Sequence, residues 1–298
     1  MLKHLKFPAL VTLTLSAGMA FAAPASKPQD KPAAAQQATP PETPAEKQIR
    51  AWHILTDGVQ DAKHPDMRTQ ALSALSDLGS NPKANELIAA AMKDPDLDVR
   101  SAAALAAGKT KSRTLVPPLR KLLDDQEPQV VFTAASVLWK EFHDHSGEDI
   151  LDAIVSGKRK ANPTLIHGAQ HQASKTLHNP AALAKLGVEN GAGFFLGPFG
   201  FSITAIEYMR KNGTDTARVT ALELLAEDKS QNTRDDLMDA LTDKDIGVRA
   251  AAARLLGKFH EHRYATAIAP LLDDEKLPVR LTAAAGYINC NAAGGAKK

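Results

Sequence analysis

The sequence predicts an all-α solenoid of stacked antiparallel helical hairpins, about seven in number, and three observations lead there. The first is a period. Arg218 to Arg249 and Arg249 to Arg280 are each 31 residues apart, and Arg68 to Arg100 is 32. Recurrence at a fixed spacing of this size marks stacked supersecondary units. The second is residue choice. Aromatic residues make up 5% of a chain that is 44% hydrophobic, and alanine is plentiful; alanine favours helices, whereas sheets favour β-branched and aromatic side chains. The third is punctuation: Asp, Pro and Gly gather just ahead of each Val-Arg pair, where one helix must stop and the next must start.

The elements follow in order. Residues 1–22 read as a secretory signal peptide, with Lys3 and Lys6 as its basic start, Ala9 to Leu15 opening its apolar stretch, and Ala20-Phe21-Ala22 as the small-x-small cleavage pattern. Thr12, Thr14 and Ser16 interrupt that stretch, which is short for a membrane span. No cysteine follows it, so a bacterial lipoprotein anchor is not expected. Residues 23–47, with Pro24, Pro28, Pro32, Pro40, Pro41 and Pro44 among Ala, Gln and Lys, hold too little apolar surface to offset their ordering entropy and read as a linker. Residues 48–143 form a first regular block. Residues 144–200 hold a degenerate helix pair (Gly147 to Ser156 and Pro163 to His178), a short helix from Pro180 to Val188, and then Gly191 to Gly200, which has neither helical nor strand character. Residues 201–290 resume the array, and residues 291–298 are a tail. The two blocks are expected to flank an irregular joint.

Each regular unit reads as two helices. The first ends in an apolar pair such as Leu122-Leu123 or Leu271-Leu272. A turn Asp is placed to cap the second helix, which opens at Val-Arg and carries paired alanines for close packing. Gly108 and Gly257 are placed to close it. The segments Asp94 to Leu105, Asp243 to Gly257 and Asp274 to Ala285 follow one pattern, Asp-x-x-x-x-Val-Arg-x-x-Ala-Ala. One further step of 31 from Arg100 lands on Val131, where the Arg is lost, and the first unit has Ala62 where the turn Asp would fall.

These residues resemble HEAT repeats, in particular the short HEAT-like repeats first noted in phycobilin lyases. The resemblance covers most of the stretch from Gln48 to Asn289. It implies the solenoid fold, a role as scaffold or binding surface, and a structural pairing of each repeat Arg with a turn Asp of its own or an adjacent unit. The residues concerned are Asp94, Arg100, Arg218, Asp243, Arg249, Asp274 and Arg280.

Chemistry is sparse. No G-x-S-x-G elbow, phosphate-binding G-x-x-x-x-G-K or H-E-x-x-H occurs, and Gly191, Gly193 and Gly197 have the wrong spacing for a dinucleotide loop. The single cysteine, Cys290, excludes an internal disulfide and a thiolate metal cluster. Basic and acidic side chains number 36 and 34; without Lys3 and Lys6 they balance, which argues against nucleic acid as a partner. His167 and His171 lie four apart, a spacing able to share a metal ion. His178 lies roughly 16 Å from His167 along a helix, and no third ligand is nearby. These histidines, His143-Asp-His145 and His260-Glu-His262 read as solvated polar faces. No metal and no cofactor are expected.

Phe194, Phe195, Leu196 and Phe199 are the candidate partner-binding residues, framed by Gly and Pro where the period breaks. They either plug the joint or project as an apolar patch. The expected function is an exported, monomeric scaffold for a protein or peptide partner, without a transmembrane anchor after signal cleavage. The alternative is an enzyme or chromophore-lyase-like protein that uses the solenoid groove.

Overall fold

The computed structural model describes residues 42–158 and 215–292. They form twelve α-helices, with short 3-10 turns and no strand among the described residues. In chain order these are α1 (Pro44–Val59), α2 (Pro65–Ser76), α3 (Pro82–Ala91), α4 (Leu97–Thr110), α5 (Val116–Lys121), α6 (Pro128–Phe142) and α7 (Glu148–Val155). After residue 214 come α8 (Thr216–Leu225), α9 (Gln231–Ala240), α10 (Ile246–Gly257), α11 (His262–Ile268) and α12 (Leu277–Asn291). The pairs α1–α2, α3–α4, α5–α6, α9–α10 and α11–α12 are the repeated hairpins. The α7 helix stands as the first half of a further unit, and α8 as the second half of another.

Local sequence sets the helix starts. Proline occupies the first helical position at Pro44, Pro65, Pro82 and Pro128, where its missing N–H costs nothing and its fixed φ suits the helix. The α1 helix begins inside the stretch read as linker. Thr43 accepts the Glu46 N–H, and the Glu46 carboxylate accepts the Thr43 N–H at 2.7 Å, a reciprocal box that satisfies two free donors.

The turn Asp does less capping than the sequence pattern suggests. The N-caps are Asp96 and Asp245, each accepting two backbone N–H groups at the start of α4 and α10. Asp94, Asp243 and Asp274 sit two residues earlier and accept the N–H of Asp96, Asp245 and Lys276, each at 2.9 Å, which folds the turn. In the first unit this role falls to Asp61, not to position 62: its carboxylate accepts the Lys63 N–H at 2.8 Å. Asp61 thus stands 7 residues ahead of Arg68, against 6 from Asp94 to Arg100.

Gly257 is the last residue of α10, while Gly108 lies inside α4, two residues before its end. Both are helical, and neither has positive φ. They permit close approach between second helices. A Cβ on Gly257 would lie 2.6 Å from Gly286 Cα, and one on Gly108 would lie 2.9 Å from Val137 Cγ1.

The stacking order in space differs from the order in the chain. The second helices pack side by side as α8, α10, α12, α2, α4 and α6. The carboxyl-terminal block therefore sits directly on the amino-terminal block, through α12 against α1 and α2. Leu281 of α12 fills the space above Gly58, where a Cβ would come within 2.9 Å of its Cδ2. Tyr287 donates its hydroxyl to the Pro44 carbonyl at 3.2 Å, and Arg50 pairs with Asp273 across the same seam. One hydrophobic core runs through both blocks, with Leu55, Leu72, Leu256 and Ile268 each 0% exposed. Lys158, beside α7, lies at one end of this stack and Asp215, beside α8, at the other.

Candidate functional site

The repeat arginines build a ladder that links successive turns. Arg100, in the first turn of α4, donates through Nε and Nη2 to both carboxylate oxygens of Asp125 in the next unit, at 2.7 and 2.9 Å. Its Nη1 holds the carbonyls of Asp94 and Pro95 in its own turn, at 2.9 and 3.1 Å. Arg249 repeats the geometry: Nε and Nη2 reach Asp274 at 2.8 and 3.1 Å, and Nη1 reaches the carbonyls of Asp243 and Lys244 at 2.7 and 3.1 Å. Arg218 forks onto Asp243, with Nη1 to Oδ1 at 3.0 Å, and Arg68 meets Asp94 at 2.8 Å and the Asp61 carbonyl at 2.6 Å. One guanidinium thus fixes its own turn through backbone and the following unit through charge. The planar fork suits a carboxylate in a way an ammonium cannot.

Where Val131 replaces the Arg, the side chain is buried in the core, and Arg120 of α5 takes over by pairing with Asp144 in the next turn, Nε to Oδ2 at 3.1 Å. Sequence reading missed this pair. The signal was present: the ladder links residues 25 apart, and Asp144 lies 24 beyond Arg120. The Arg120 guanidinium, then the Ser146 hydroxyl, hold the Asp144 carboxyl down to about 2. The Arg218 guanidinium, then the Asp245 N–H, do the same for Asp243.

Stacked turns leave clefts between them. A cleft of about 550 Å³ opens between the α3–α4 and α5–α6 turns. Met92, Leu122 and Pro118 give it an apolar floor, and exposed Lys93, Lys121 and Asp124 rim it. A second, of about 320 Å³, lies beside the Arg218–Asp243 pair, with Leu222, Leu225 and Val248 among its lining. Each cleft is bordered by a ladder bridge, so the same repeat feature that ties units together also spaces the clefts.

The histidine pairs serve other ends. His143 and His260 have left-handed backbones, φ 51° and 54°, where the chain leaves α6 and α10. The His145 ring packs edge-on to Trp139, with centroids 4.5 Å apart, and its Nδ1 meets the Glu148 carboxylate at 3.1 Å. No group of three or more His, Cys, Asp or Glu arranged to hold a metal occurs among the described residues. Cys290 is buried in α12. His167, His171, Phe194, Phe195, Leu196 and Phe199 lie outside the described residues, as do 1–41, where the signal peptide and most of the linker were expected. No helix among the described residues is long and apolar enough to cross a membrane.

Stacked hairpins, an Asp–Arg turn ladder and small-residue helix contacts define an α-helical repeat protein. The family model for HEAT repeats matches residues 53–139 and 204–288, more than half of the chain, and the chain belongs to the HEAT-repeat family. No curated protein matches it. Among solved structures, the human deoxyhypusine hydroxylase in complex with glycerol is similar at 19% identity, over 82% of this chain and 98% of that chain, with a TM-score of 0.32.

Proposed function

We propose that this protein is an exported scaffold that binds a protein or peptide partner in the periplasm or outside the cell. The observation that carries the reading is the cleft between the α3–α4 and α5–α6 turns, about 550 Å³ with an apolar floor and a charged rim. Binding sites combine apolar surface with placed polar groups, and here Met92, Pro118 and Leu122 lie within a polar majority that includes Lys93, Lys121 and Asp124. Repeat arrays present such sites in register along an extended surface, which suits a segment of polypeptide better than a compact small molecule. Export rests on the basic start, apolar stretch and Ala-Phe-Ala of residues 1–22. The charge balance without Lys3 and Lys6 fits this reading, which takes the chain to be a monomer.

The test is capture from an envelope fraction with the purified mature chain, beside a Lys93→Glu/Lys121→Glu variant. Both lysines are exposed, so the variant is expected to fold normally. Saturable enrichment of one partner, lost in the variant at unchanged melting temperature, is the expected result. Equal capture by both forms contradicts the cleft assignment. Turnover of a small molecule by the purified chain alone contradicts the scaffold reading.

A further inference from the structure

Arg280 stands in the same place in its unit as Arg100 and Arg249 and is held in the same way. Its Nη1 donates to the carbonyls of Asp274 and Glu275 at 2.7 and 3.2 Å, matching the anchoring of the other two. In those units the remaining edge, Nε and Nη2, grips a carboxylate of the next turn. At Arg280 that edge makes no hydrogen bond to any described residue. The cause is the order of stacking. The unit beyond Arg280 in space is α1–α2, and α12 packs there mainly on α1 rather than squarely on the second helix. The turn carboxylate of that unit, Asp61, is engaged elsewhere: it accepts the N–H groups of Lys63 and His64 at 2.8 and 2.9 Å and meets the His64 ring at 3.0 Å.

We propose that Arg280 is a carboxylate-binding site at the seam between the two blocks, and that its ligand is an Asp or Glu side chain of an extended partner segment. The guanidinium is oriented before the ligand arrives, so little ordering cost attends binding. The geometry expected of the ligand is the one Asp125 and Asp274 show on Arg100 and Arg249. The inference rests on the reading of the protein as a peptide-binding scaffold, but it concerns a place distant in sequence from the Lys93–Lys121 cleft. The two are separable, because the cleft variant should leave binding at Arg280 intact.

The probe is a fluorescein-labelled peptide of alternating glutamate and glycine, titrated at low ionic strength into the full mature chain. Saturable binding is expected. Arg280→Lys keeps the charge and removes the fork, and should weaken binding about tenfold or more. Arg263→Lys, at an exposed arginine of α11 paired with Glu261 and outside the ladder, should leave binding unchanged. Absence of saturable binding overturns the proposal, as does equal affinity in Arg280→Lys. So does a shift of the Arg280 Nε–H resonance on Asp61→Asn substitution in the peptide-free protein, which would place Asp61 on that edge.

Discussion

Asn289 donates its side-chain amide to the backbone carbonyl of Asp77 at 2.9 Å, across 212 positions of sequence. The bond joins the last helix to the end of α2. With Tyr287 on Pro44 and Arg50 on Asp273, it makes the two ends of the described chain the middle of the stack. Stability should therefore depend on contacts between residues far apart in the chain.

Arg249 and Arg218 make equivalent forks in different surroundings. The side chains of Arg249 and Asp274 are 15% and 8% exposed, against 46% and 19% for Arg218 and Asp243. Removing one partner of a largely buried pair costs about 3–5 kcal/mol, and of an exposed, solvent-screened pair far less. Arg249→Ala should lower the urea midpoint far more than Arg218→Ala. Equal effects would show that the ladder is not graded by burial.

Gly257→Ala should destabilise even though alanine is the better helix former. The added Cβ meets Gly286 Cα at 2.6 Å, and a backbone atom cannot rotate away. Forcing α10 and α12 apart should cost about 1–3 kcal/mol, read from thermal or urea unfolding. A gain in stability would mean that the two helices have slack.

Asp144 and Asp243 both ionise at about 2 rather than the ordinary 3.8. The unfolded chain then takes up protons at higher pH than the folded one, so stability rises with pH across that window. The contribution is fully present above 3.8 and lost as pH falls through about 2. Asp144→Asn should flatten the pH dependence of the urea midpoint in that range; an unaltered slope would remove Asp144 from the account.

Burial pushes the Cys290 thiol up to about 12, and the side chain is 3% exposed. At pH 8 the folded protein should not react with a disulfide reagent that labels thiolate. Addition of urea should release one equivalent. Rapid labelling of the folded form would show that α12 is not seated.

The fold was legible because its causes are local. The 31-residue period, the Asp-rich turns and the Val-Arg helix starts each act within one unit, and they suffice to specify hairpins that stack. Details of the turn were less legible. Asp96 caps where Asp94 seemed placed to, and Asp61 does the work expected at position 62, because hydrogen-bond geometry shifts by one or two residues without altering composition. Gly108 and Gly257 carried a real signal with two physical meanings, chain reversal or close approach, and only the neighbouring helix decides between them. The order of stacking was not legible. Nothing within the repeat motif says whether α12 must meet the next unit in the chain or the first. The edge of Arg280 that meets no described residue is hidden for the same reason. The clefts arise between units and leave no pattern within either.

The most direct test of the central claim, that the two blocks meet through α12 and α1, is an intramolecular cross-link. Arg50 and Asp273 pair across the seam, with side chains 27% and 68% exposed. The double variant Arg50→Cys/Asp273→Cys, treated with a short bismaleimide at low protein concentration, should become linked within one chain. The link should appear as a mobility shift on a denaturing gel and as one joined peptide by mass spectrometry, while the single variants show neither. Buried Cys290 should stay unmodified. A double variant that labels at both cysteines yet never joins them would contradict the stacking order described above.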